Sequence, residues 1–182
     1  MYAKLEREFP SHRLADDARY RSALLLRLDK KEALAAQLLK SLPYRYPHGD
    51  MRHEAHFTLA WQAYSRRNYA MAKVYLEKLI KEQPQESSEE GLHGRGYYWL
   101  ARVLEKLHQR KQATDRYLEL LRRWPMTYYA QLAWERAARL DRTSTQKIAN
   151  FLSSSAEPSL QFTWKHFMDS NDFQRLLEWF RV

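Results

Sequence analysis

Residues 55–84 read AHFTLAWQAYSRRNYAMAKVYLEKLIKEQP, and this stretch decides the fold. It can be laid without gaps over residues 18–47 and 96–125, whose starts lie 37 residues before it and 41 residues after it. Each segment has a small residue in its first half, another twelve positions later, then a leucine and a closing proline. These are Ala23, Ala60 and Ala101; Ala35, Ala72 and Ala113; Leu42, Leu79 and Leu120; and Pro47, Pro84 and Pro125.

The spacing predicts a helix (helix A), a short turn and an antiparallel helix (helix B) in each segment. Alanine allows two helix backbones to approach closely, and the closing proline disfavours helix at the residue before it. Two alanine layers and a proline at these offsets match the tetratricopeptide consensus. We therefore predict an all-α fold, an α-solenoid or superhelix of tetratricopeptide-like helical hairpins.

The repeat pattern extends beyond these three segments. Leu5 and Phe9-Pro10 match Leu42 and Tyr46-Pro47, so the first ten residues are predicted to be helix B of a preceding repeat. We expect one α-superhelical domain over residues 1–182, belonging to a longer chain. Its predicted parts are repeats at about 11–47, 50–84, 90–125 and 127–152, and a terminal helical pair at 158–182.

Local signals predict three helix boundaries. Asp50 is predicted to be the N-cap of the helix A that follows it. A fourth helix A is predicted from about Thr127 to Leu140. Thr143-x-x-Gln146 has the spacing of a capping box and predicts a helix that continues to about Leu152.

Composition limits the possible classes of protein. The 182 residues are 45% hydrophobic and 14% aromatic, which is too apolar for a disordered chain. The absence of cysteine excludes disulfides and thiolate chemistry. Only four glycines occur, which favours helices over a turn-rich β architecture, and no apolar stretch is long enough to span a membrane.

Three short sequence motifs in the repeats are more specific than the general tetratricopeptide pattern. They are Leu59-Ala60-Trp61 with Ala63-Tyr64, Tyr97-Tyr98-Trp99-Leu100-Ala101, and Tyr128-Tyr129-Ala130 with Leu132-Ala133. Together they resemble the superhelical, non-catalytic region of soluble lytic murein transglycosylases, over about residues 40–140. The resemblance implies a periplasmic scaffold that positions peptidoglycan for a separate lysozyme-like domain of the same chain.

The transglycosylase family uses a catalytic glutamate followed by serine, and Glu86-Ser87 offers that pair. No Met-Gln follows Gly91-Leu92 as the family pattern requires, and other acidic residues lie close to Glu86. A catalytic acid of this type needs an enclosed, poorly hydrated cleft. We therefore interpret the stretch as an exposed loop with a capping box at Ser87-x-x-Glu90, and predict no catalytic residue.

Metal, cofactor and nucleic-acid sites are the weaker hypotheses. His53 and His56 are three residues apart on one helix and lie near His48, but no complementary carboxylate completes a metal site. No motif indicates a cofactor. The net charge of +9 comes partly from pairs predicted at or near the A–B turns, where a cation complements the helix dipole, so nucleic-acid binding is not favoured. Those pairs are Lys30-Lys31, Arg66-Arg67 and Arg110-Lys111.

The aromatic residues of helix A give the best candidate binding surface. In tetratricopeptide stacks, four positions of helix A line a concave groove, and aromatic rings there can hold sugars or an extended peptide. The candidate groove residues are Phe57, Trp61, Tyr64, Arg95, Tyr98 and Arg102. Alternatively, Trp61 and Tyr98 pack between repeats.

The partners that we expect are peptidoglycan or the catalytic domain of the same chain. The alternative function is a stand-alone adaptor that binds a protein or peptide.

Overall fold

The computed structural model describes residues 1–82 and 94–155, and these residues form nine helices without a strand. The predicted terminal pair at 158–182 and the Glu86 loop lie outside the described residues. The helices are Tyr2–Glu8 (α1), Ala15–Leu28 (α2), Glu32–Arg45 (α3), Met51–Ser65 (α4), Tyr69–Glu82 (α5), Arg95–Lys106 (α6), Arg110–Arg123 (α7), Tyr128–Leu140 (α8) and Arg142–Ser155 (α9).

Consecutive helices pack against each other along the whole described chain. The A–B hairpins are α2–α3, α4–α5, α6–α7 and α8–α9, and α1 packs on α2 as a helix B would. Helices two apart also touch, with α2 against α4, α6 against α8 and α7 against α9. This is the contact pattern of stacked hairpins, so the predicted all-α solenoid of tetratricopeptide-like repeats is confirmed.

The alanine layers lie at the centre of the hairpins. Ala60 is 2% exposed and Ala72 is fully buried, and both belong to one apolar cluster with α6 and α7. The fourth hairpin replaces its second alanine with Thr145, which is also buried. Its hydroxyl donates to the Asp141 carbonyl at 2.7 Å, so a polar side chain fits this layer without an unsatisfied group.

The first three A–B turns share one backbone conformation. Lys30, Arg67 and His108 have φ angles of +60°, +60° and +59°. In each turn, this residue's N–H donates to the carbonyl three residues earlier and the next N–H to the carbonyl five residues earlier. This is a Schellman motif, which usually has glycine at the left-handed position. The expected basic pairs do lie in or beside these turns.

Pro47 and Pro125 end their helices B as predicted, and Pro84 lies outside the described residues. Tyr46 precedes Pro47 and has φ −128° and ψ 71°, and Trp124 precedes Pro125 with φ −138° and ψ 62°. Both values lie outside the α region, as expected for a residue before proline.

Two of the three predicted helix starts are confirmed, and the capping box predicted at Thr143 is wrong. α8 begins after Thr127, whose hydroxyl accepts the Ala130 N–H. Asp50 occupies the N-cap position of α4 but makes no side-chain cap bond; the Asp16 carboxylate of α2 accepts the Met51 N–H at 3.1 Å instead. Thr143 is inside α9, because Asp141 caps that helix through the Ser144 N–H at 2.9 Å.

Candidate functional site

The six candidate groove residues lie on α4 and α6, whose side chains meet across the repeat boundary. We call the surface formed by α2, α4, α6 and α8 the helix-A face. Trp99 of α6, which sequence reasoning did not select, joins the two groups of candidates. Its ring centroid lies 4.7 Å from Trp61, 5.4 Å from Tyr64 and 5.5 Å from Tyr98.

The α4 part of this surface is aromatic and open. Trp61 is 41% exposed, and its ring stacks on Tyr64 with the centroids 5.8 Å apart. Phe57, Trp61, Tyr64 and Trp99 line a shallow apolar cavity of about 10 Å³. Edge-to-face and stacked contacts of this kind fix ring orientations, so Trp61 presents a prepositioned apolar surface.

Arg95 connects α6 to α4. Its guanidinium forms an ion pair with Glu54 and lies 4.0 Å from the centroid of the Phe57 ring. The Arg95 side chain is only 13% exposed. Arg95 therefore stabilises the contact between two repeats, and its charge is already neutralised by Glu54.

Tyr98 is part of the core. It is 5% exposed, and its ring lies 6.0 Å from Tyr117 of the same hairpin and 5.7 Å from Tyr129 of the next one. Arg102, one helical turn later, donates to the Tyr98 hydroxyl at 3.1 Å. Tyr98 therefore packs between repeats. Trp61 also contacts the neighbouring repeat, but much of its surface remains exposed to solvent.

A polar network that the sequence did not reveal lies behind Tyr98. The Glu105 carboxylate accepts a hydrogen bond from the Tyr117 hydroxyl and two from Arg136, at 3.1 and 3.2 Å. Burial, together with the hydrogen bond to Glu105, raises the pKa of Tyr117 far above its usual range. Burial tends to lower the pKa of Arg136, but Glu105 reverses that effect and the pKa is raised. The network therefore links α6, α7 and α8.

The histidines considered as metal ligands have a different environment. His56 is buried, its Nε2 lies 3.1 Å from a Glu82 oxygen, and its ring lies 6.5 Å from Tyr75. Burial lowers the pKa of both His53 and His56. In the described part of the chain, the group with metal-ligand spacing is acidic: Asp16, Asp17 and Asp50. Asp16 in this group already serves as the cap of α4.

The fold and this surface define a tetratricopeptide-like helical repeat protein. Residues 15–147 match the family model described as "YfiO: Outer membrane lipoprotein", and the chain belongs to that family. No curated protein matches the chain. This family match supports the helical-repeat part of the resemblance. No helix in residues 1–82 or 94–155 has the length and apolarity needed to cross a bilayer.

Proposed function

We propose that this chain is a helical scaffold of the periplasm that binds a protein partner through the helix-A face. The family's description, outer membrane lipoprotein, supports an envelope location. The observation that carries the binding proposal is the exposure of Trp61 within a fixed aromatic cluster. Tryptophan and tyrosine dominate binding energy at protein interfaces, and an indole held by its neighbours loses little entropy on binding.

The experiment is site-specific photo-cross-linking in cells. Trp61 is replaced by p-benzoyl-phenylalanine, and a second variant carries the same group at Tyr44, which is 80% exposed on α3. We expect one protein to be cross-linked from position 61 and not from position 44. Equal labelling from both positions would contradict a binding surface on the helix-A face.

The second candidate function is the scaffold of a lytic transglycosylase, with peptidoglycan as its ligand. The aromatic face supports it, since rings beside guanidinium groups can bind sugars. However, the three sequence motifs that resemble the transglycosylase region contain many packing residues. Five of these residues are buried: Leu59, Ala60, Leu100, Ala101 and Ala133. Any tetratricopeptide-like repeat needs small or apolar residues at these positions.

Binding to purified peptidoglycan separates the two candidates. If the chain is a protein-binding scaffold, co-sedimentation with peptidoglycan is weak and unaffected by Trp61→Ala. If it is a transglycosylase scaffold, co-sedimentation is strong, and Trp61→Ala removes it while the catalytic activity stays in another domain. Release of soluble fragments by this chain alone would contradict both.

A further inference from the structure

Of the two arginines on α6, one has no carboxylate partner among the residues that the structure describes. Arg95 is paired with Glu54, and Arg136 with Glu105. Arg102 lies between these pairs, on α6. Among the residues that the structure describes, no carboxylate oxygen lies within 4 Å of its guanidinium nitrogens.

The contacts of Arg102 are aromatic. Its guanidinium carbon lies 5.9 Å from the ring centroids of both Tyr98 and Trp99, and its Nη1 donates to the Tyr98 hydroxyl. The side chain is partly buried. A guanidinium has five donors and a full charge, and partial burial beside rings weakens its hydration. The Arg102 guanidinium can therefore bind an anionic group from another molecule.

We propose that Arg102 binds the carboxylate of an acidic side chain in an extended segment of the partner protein. This inference rests on the proposed function, because the segment would lie along the helix-A face. An arginine fork binds a carboxylate through two parallel hydrogen bonds, which fixes the position of the segment. The net charge of +9 also favours an acidic partner.

The repeat register predicts the spacing within that segment. Trp61, Arg102 and Trp134 each directly follow the buried alanine of their helix A, so one of them belongs to each successive repeat. Packed helices lie roughly 8–10 Å apart, and an extended chain rises about 3.3 Å per residue. About three residues of the segment therefore correspond to one repeat. The expected pattern is apolar-x-x-acidic-x-x-apolar, which is the same in both chain directions.

The test uses a fluorescein-labelled peptide with leucine at its first and seventh positions, glutamate at its fourth and serine elsewhere, measured by fluorescence anisotropy. Arg102→Gln is expected to weaken binding at least tenfold. Arg116→Gln is the matched control: it removes the same charge from α7, and Glu119 keeps Arg123 as its partner. We expect this control to stay within twofold of the unaltered protein.

A second peptide with glutamine at the fourth position tests the same contact without altering the protein. It should bind at least tenfold more weakly, and Arg102→Gln should not weaken it further. Arg102→Gln should also keep the helical circular dichroism spectrum. If the glutamine peptide binds as well as the glutamate peptide, the carboxylate contact is disproved, whether or not Arg102→Gln folds.

The remaining outcomes separate this inference from the proposed function. If Trp61→Ala weakens peptide binding and Arg102→Gln does not, the binding face stands and the anion site is overturned. If neither variant changes the binding, both are overturned. Binding of soluble muropeptides that depends on Arg102, with no binding of either synthetic peptide, would overturn the protein segment as the ligand.

Discussion

The α4 and α6 parts of the helix-A face have the same place in the repeat but opposite environments. On α4, Trp61 meets Trp99 edge-on and keeps 41% of its surface exposed. On α6, Tyr98 is covered by Tyr117 and Tyr129, and Glu105 is tied to its neighbours by hydrogen bonds. One repeat pattern therefore leaves an aromatic ring exposed in one hairpin and buries one in the next, depending on what the adjacent helices contribute.

The largest expected effect comes from truncating the two aromatic residues that define this difference. Tyr98→Ala should reduce the free energy of unfolding by about 3–5 kcal/mol, because it opens a cavity in the core. Trp61→Ala should cost about 1–2 kcal/mol, because much of the indole is already in water. Urea denaturation followed by circular dichroism measures both values.

The two variants control for each other, since both remove an aromatic ring from a helix A. Equal losses of stability would show that α4 and α6 do not differ in the way we describe. A loss of several kcal/mol for Trp61→Ala alone would make Trp61 a core residue and remove the main support for the binding surface.

The next largest loss of stability is expected from substituting Glu105 and Glu54, which pair with Arg136 and Arg95. Glu105→Gln should cost about 1–3 kcal/mol, because it weakens the hydrogen bonds from Arg136 and the buried Tyr117 hydroxyl. Glu54→Gln should cost less, because among the described residues Glu54 is bonded by Arg95 alone, and Arg95 keeps its contact with the Phe57 ring. Thermal unfolding of both variants gives the order, and a larger loss for Glu54→Gln would contradict it.

The sequence predicted the hairpins because their signals are local and repeated. Buried Ala60 and Ala72 and the closing prolines act through the backbone within one hairpin, so their spacing was sufficient. The α4 cap was not predictable in this way, because Asp16, which supplies it, lies 35 residues away from Met51. The N-cap position of Asp50 is a local feature that the sequence predicts, whereas the carboxylate that accepts the Met51 N–H belongs to α2.

The candidate site was predicted only in part for a similar reason. The consensus positions selected Tyr98 as a groove residue, but the exposure of a side chain depends on what the next repeat provides. Tyr129 of α8 packs against the Tyr98 ring, which is buried. Trp99 lies outside the four consensus positions, and the dense aromatic run from Tyr97 to Trp99 was its only sequence signal.

The two helices should also differ in how they contribute to the pH dependence of stability. α4 contains His53 and His56, whereas α6 contains no histidine. Burial lowers the pKa of His53 and His56, and Glu82 opposes this effect without reversing it. The unfolded chain therefore binds protons more readily below about pH 6.5, the ordinary histidine value. Stability should be constant above that value and fall as the pH drops below it, until the folded-state pKa is reached.

Urea midpoints between pH 7.5 and 5.5 test this expectation. The double variant His53→Gln/His56→Gln should show a flatter profile than the unaltered protein. His108→Gln, in the exposed turn after α6, is the control and should leave the slope unchanged. A slope that persists in the double variant would assign the pH dependence to other groups, and these histidines would not be its source.

The smallest effect is expected at the turns, where the α4 and α6 hairpins do not differ. Arg67 and His108 hold the same left-handed conformation and the same pair of backbone hydrogen bonds. A non-glycine side chain in the left-handed conformation costs about 1 kcal/mol, and substitution by glycine removes this cost. Glycine also loses more backbone entropy on folding, which offsets roughly half of the stability gained. Arg67→Gly and His108→Gly should therefore each raise the unfolding free energy by about 0.5 kcal/mol, whereas Ser65→Gly, at the helical end of α4, should lower it. A gain at only one of the two turns would mean that the difference between the hairpins extends from their surfaces into their backbones.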